Sequence, residues 1–195
     1  CRWRMSNKKV PMLNRHIRAL SERLVQGEPL THNMLSWAKQ HVEWSLAEGD
    51  YTAHDGVLML VIDINGNAAM TVGEYEPLAD TSAKALRARS AEARSEADET
   101  GVAPELLAAV DDGELAFVAP ADECLCGTAT LIEQLAQTKG IPVTRVDIPA
   151  QLKGALFLVS DEHGVVPAAE TDAAEADAAT VAFFADGYEK LRARR

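Results

Sequence analysis

The 195 residues hold 30 acids against 19 lysines and arginines, a formal charge of −11, with 47% apolar, 25% charged and 5% aromatic residues. That composition suits a packed globular chain and excludes a disordered one; no apolar run approaches the ~20 residues that span a bilayer, and the acidity disfavours a nucleic-acid or anionic-membrane binder. The charge is uneven: residues 1–23 carry seven bases and one acid, whereas residues 161–186 carry seven acids and neither lysine nor arginine. Two surfaces of opposite sign either attract each other or are each simply solvated.

In chain order, residues 2–5 end a strand. A helix is expected over about Asn14–Val25, with Ile17, Leu20 and Leu24 on one side and Gly27 past its end. Thr31 is a good N-cap for a second helix to Glu48, with Met34, Leu35, Ala38, Val42 and Leu46 at helical spacing and Gly49-Asp50 closing it. Trp37 and Trp44 share a neighbouring face and are expected to pack. The apolar, β-branched run Val57–Ile64 reaches the turn Asn65-Gly66, which leads into a strand over Ala68–Val72. Gly73–Asp80 has the composition of a linker.

An alanine- and charge-rich helix is predicted over Thr81–Thr100 with Gly101 as its stop. Leu106–Val110 and Leu115–Val118 flank the turn Asp111-Asp112-Gly113 as a second hairpin. There follow a helix over about Thr128–Thr138, strands over Ile141–Ile148 and Ala155–Ser160, a short Val165–Pro167 segment and a last helix over about Ala173–Leu191.

Few residues announce chemistry alone. Cys1 could join a thiol to an α-amino group as an N-terminal nucleophile, but Arg2-Trp3-Arg4-Met5 follows rather than a strand start rich in glycine or hydroxyls. Cys124 and Cys126 lack further ligands at metal-binding spacing, and the histidines (His16, His32, His41, His54, His163) form no ligand pattern, so no metal is expected. An odd cysteine count and no signal-peptide pattern suit a reduced, cytoplasmic setting. Gly127-Thr128-Ala129-Thr130 opens a helix, and free amides beside hydroxyls there suit either a phosphate or an ordinary cap. Lys84, early in its helix, is a surface lysine when read alone.

Taken in order, Ser82-Ala83-Lys84 before an Ala/Glu-rich helix that stops at Gly101, the strand and turn ELLAAVDDG, the helix start CGTATLIEQLA, Gly140-Ile141-Pro142-Val143, and Leu156–Ser160 leading to Val165-Val166-Pro167 resemble the pyridoxal-phosphate (PLP) enzymes of fold type IV. These are the class IV aminotransferases, which include the branched-chain and D-amino acid aminotransferases, and aminodeoxychorismate lyase. The resemblance runs over about residues 82–192; more loosely, Met12–Leu20 is similar to the family's helix bearing H-x-x-R-L. It implies an α+β, two-lobed fold: a small N-terminal lobe (1–72), incomplete because the sequence would start inside its second strand, a linker (73–81) and a larger α/β lobe (82–195). It further implies a Schiff-base lysine at Lys84 that also shuttles a proton, and pyridoxal 5'-phosphate held by Gly127, Thr128, Ala129 and Ser160. The substrates would be an amino acid and a 2-oxo acid, exchanged by a homodimer. Three departures accompany it. Ala19 stands where the family has a phosphate-binding arginine, and Arg18 is about 100° away on a helix. Glu114 is a poor substitute for the carboxylate facing the pyridine nitrogen, and few residues separate Leu58 from Lys84. A cofactor-free relative of the fold, a lyase of the aminodeoxychorismate type and an unrelated α+β hydrolase or binding domain are the alternatives.

Overall fold

A computed structural model describes residues 1–49, 51, 55–63, 65, 67–147, 149, 152–170 and 172–194. Asp50, His54, Ile64, Gly66 and Ile148 lie outside them. Two sheets organise the chain. In the first, β1 (Arg2–Met5), β4 (Gly56–Ile62) and β5 (Ala68–Gly73) pair antiparallel in the order β1-β4-β5. Its inner residues Trp3, Met5, Leu58 and Leu60 pack with Leu20 of α1 (Leu13–Ser21) and Ala38, Val42 and Leu46 of α2 (His32–Glu48). Thr31 caps α2 as expected, its Oγ1 accepting the Met34 amide at 3.3 Å.

The first helix is shorter than its periodicity implies. It stops at Ser21, and β2 (Leu24–Val25) folds back on β3 (Glu28–Pro29). Gln26 and Gly27 both take positive φ, 51° and 83°, the conformation of a two-residue hairpin turn, so Gly27 bends a ribbon rather than ending a helix. Trp37 and Trp44 do not pack into the core. They are 42% and 64% exposed, because the stripe Ala38-Val42-Leu46 takes the buried face and leaves Trp37 stacked on His41 at 4.6 Å.

The second sheet runs β10-β9-β6-β7-β8, from β6 (Glu105–Asp111), β7 (Glu114–Val118), β8 (Val143–Val146), β9 (Ala155–Ser160) and β10 (Gly164–Pro167). All neighbours are antiparallel except β7 and β8, which the crossover helix α4 (Gly127–Lys139) joins in parallel. Alternation along the buried strands splits the core in two. Leu106, Ala108, Val110, Phe117 and Phe157 face α4 and α5 (Glu175–Arg192), while Leu107, Ala109, Leu156 and Leu158 face Leu86 of α3 (Ala83–Thr100). Helix α3 therefore lies on one face of this sheet and α4 on the other, and α1 packs against α4 to join the two halves. Gly101 ends α3 at φ 81°, its amide bonded to the Ala97 carbonyl.

The β6–β7 turn, with Asp112 and Gly113 at positive φ, is fastened to α5 by Asp177. That carboxylate accepts the amides of Asp112 and Gly113 at 3.1 and 3.0 Å. Asp177→Ala is expected to lower stability by about 1–2 kcal/mol, since the two turn amides can regain water. Urea denaturation at pH 7 checks it.

Candidate cofactor site at the start of helix α4

The residues the sequence singles out do not converge. Lys84, the second residue of α3, is exposed, on the opposite sheet face from α4. Gly127, Thr128 and Ala129 do lie together, buried in the first turn of α4. Ser160 ends β9 with its hydroxyl committed elsewhere: it donates to Glu105 Oε1 at 2.8 Å and accepts the amides of Glu162 and His163 at 3.1 and 3.0 Å. Ala19 is buried in the core, Arg18 is exposed, and Glu114 is exposed beside the hairpin turn. Cys126 is buried and Cys124 partly so, and no group of three His, Cys, Asp or Glu that could hold a metal occurs among the described residues.

A residue that sequence reasoning did not select occupies the start of α4. The Thr128 amide donates to Asp161 Oδ1 at 2.8 Å, and His16 Nδ1 lies 3.3 Å from Asp161 Oδ2. Both side chains are buried, His16 at 2% exposure and Asp161 at 7%. Trp3 stacks on the imidazole with ring centroids 5.3 Å apart, and the Arg4 amide donates to the Asp161 carbonyl at 3.0 Å. Gly127 is required here, because a Cβ would stand 2.4 Å from His16 Nδ1 and 3.0 Å from the His16 backbone nitrogen. Burial pushes the Asp161 carboxyl up, but the nearby His16 and the Thr128 amide outweigh it and leave it below the ordinary value. Burial, reinforced by that same carboxylate, raises the Cys126 thiol well above the usual range.

A second polar cluster lies on the α3 side. Glu105, buried, pairs with Arg89 at 2.5 Å; Arg89 Nη2 meets His163 Nε2 at 3.0 Å, and His163 Nδ1 is 3.4 Å from the Tyr75 hydroxyl. Arg4 covers the Tyr75 ring at 3.4 Å, and Arg2 grips Glu162 through two bonds of 2.5 and 2.6 Å. A cavity of about 360 Å³ opens beside Arg2, Arg89, Glu105 and Glu162. Burial lowers the pKa of His163. The only hint of these contacts in the sequence is the charge asymmetry, which Arg2 and Glu162 realise.

Solved structures resemble this fold over nearly its whole length. A structure described as a putative 4-amino-4-deoxychorismate lyase superposes at TM-score 0.64 with 16% identity, covering 94% of this chain and 88% of that one. A putative branched-chain amino acid aminotransferase from Thermotoga maritima gives 0.62 and 15%, covering 97% and 85%. A hypothetical aminotransferase from Mycobacterium tuberculosis in its PLP-bound form gives 0.60 and 10%, covering 98% and 87%. No family model matches the sequence, and no curated protein matches it. The chain has the α+β, two-lobed fold of the fold-type-IV PLP enzymes.

The residues at the start of α4 do not fit a cofactor phosphate. A phosphate dianion at a helix start needs unengaged amides and no facing carboxylate. Here the Thr128 amide is spent on Asp161, whose carboxylate would repel the dianion. A Schiff-base lysine needs to be held near neutrality by burial, and Lys84 is exposed.

Proposed function

We propose that this chain is a non-catalytic, cofactor-free relative of the fold-type-IV enzymes, with lobes over residues 1–72 and 82–195 joined by 73–81. The observation that carries the reading is the Thr128–Asp161–His16 contact, which puts a carboxylate of the chain at the helix terminus suited to a phosphate. On this reading the helix terminus is a structural joint between β9, α4 and α1.

The neighbours' printed descriptions, one of them PLP-bound, favour a second reading. In it the chain is a cytoplasmic, homodimeric class IV aminotransferase or an aminodeoxychorismate-lyase-like enzyme. It exchanges an amino group between an amino acid and a 2-oxo acid through Lys84, with pyridoxal 5'-phosphate held by Gly127, Thr128, Ala129 and Ser160.

One experiment separates the two. Purified protein is titrated with pyridoxal phosphate, followed by its visible spectrum, then reduced with borohydride and mapped. Cofactor-free protein is expected to show no saturable aldimine band and to carry label scattered over its exposed lysines. A stoichiometric band with label confined to Lys84 overturns the proposal and establishes the enzyme reading.

A further inference from the structure

We infer that Asp161 is a tethered anion: the first turn of α4 together with His16 forms an oxyanion seat that the chain fills with its own carboxylate, closing it to free inorganic phosphate. This rests on the cofactor-free reading above in taking the seat as filled. A helix N-terminus alone would say little, since ordinary caps look the same. The seat here has a second wall. The His16 ring is 2% exposed, and Nδ1 stands 3.3 Å from Asp161 Oδ2 without the geometry of a hydrogen bond. The Thr128 hydroxyl, fully buried, likewise lacks a hydrogen-bond partner among the described residues. One amide, one imidazole and one hydroxyl thus surround a carboxylate that satisfies only the amide fully. An oxyanion with four oxygens matches that donor set better than a carboxylate with two.

The carboxylate is also held in place from behind. Its residue follows Ser160, whose hydroxyl fixes the turn through the amides of Glu162 and His163, and its own carbonyl accepts the Arg4 amide. These contacts fix the backbone that carries the Asp161 carboxylate into the seat. Wild-type protein is therefore expected to be indifferent to phosphate, and protein lacking the carboxylate to accept it.

The test compares wild type, Asp161→Ala and the double variant His16→Ala/Asp161→Ala in chloride and in inorganic phosphate of equal ionic strength at pH 7. Thermal melting and the phosphorus NMR linewidth of phosphate are the readouts. In chloride, Asp161→Ala is expected to melt roughly 10 °C lower, because it leaves His16 buried beside an empty seat. Phosphate should restore several degrees of this in a saturable way and broaden the phosphorus line, and the double variant should show neither effect. If Asp161→Ala does not fold in chloride, refolding from urea in phosphate but not in chloride supports the inference. Three outcomes overturn it: folded Asp161→Ala indifferent to phosphate, refolding in neither salt, or a wild type that responds as strongly. A Lys84 aldimine in the wild type would defeat the cofactor-free reading separately, whatever phosphate does to the variant.

Discussion

His16→Ala is expected to cost about 3–5 kcal/mol of stability at pH 7, the penalty for leaving the buried Asp161 carboxylate without the group beside it. Asp161 is 7% exposed, and His16 Nδ1 stands 3.3 Å from its second oxygen, so loss of the imidazole leaves a buried carboxylate short of a neighbour at the joint between α1 and α4. Loss of the ring also removes the platform under Trp3. Urea denaturation at several pH values checks both size and sign. The folded Asp161 carboxyl lies below its ordinary value, so its contribution is fully present above about pH 4 and fades as pH falls through the folded value. Wild type should therefore lose this stability only below about pH 4, and His16→Ala should show a smaller loss over that acid range because the carboxylate has lost the neighbour that favours its ionised form. A deficit under 1 kcal/mol at pH 7 would mean that the pair is solvated and the joint is held by packing alone.

Phe157→Ala is expected to cost about 3–5 kcal/mol, with a fall in melting temperature of roughly 10 °C or more. Phe157 is wholly buried at the centre of β9, opposite Ala108 of β6 and with its ring 6.2 Å from that of Phe184 on α5. Small neighbours such as Ala108, Ala129 and Ala136 make up much of the α4 side of the core, and they cannot expand into the space of a lost ring. Phe157→Leu should recover more than half of the loss. Calorimetry of the two variants distinguishes a cavity from a general loosening, since an alanine variant as stable as the leucine one would show that α5 collapses onto the sheet.

Most of the fold is legible in the chain because its signals are local. Thr31 and Ser82 sit at helix starts, Gly101 ends α3 in the left-handed conformation, and Ala155–Ser160 is a continuous apolar run that forms a central strand over those same residues. The order of these elements over residues 82–192 by itself carries the likeness to fold type IV. The misses are where one signal has two meanings. Gly27 can end a helix or turn a hairpin, and the choice falls to the pairing of Val25 with Glu28. The tryptophans of α2 lie beside the apolar stripe, and packing on the first sheet decides which face is covered.

The site is a different matter. Gly127-Thr128 is recognisable as a helix start with free amides, and the sequence by itself determined that much, along with the elements, their order and the excess of acids. What accepts those amides could not be read from it. Asp161 is 33 residues from Thr128, and His16 lies far upstream on another helix. Only the tertiary structure brought the two onto the first turn of α4, turned Ser160 toward Glu105 and left Lys84 in solvent on the opposite face of the sheet. The reason is that a side chain's face within an element follows from local periodicity, whereas which distant charge it meets follows from how the elements stack, and burial then decides whether that meeting is worth tenths of a kilocalorie or several.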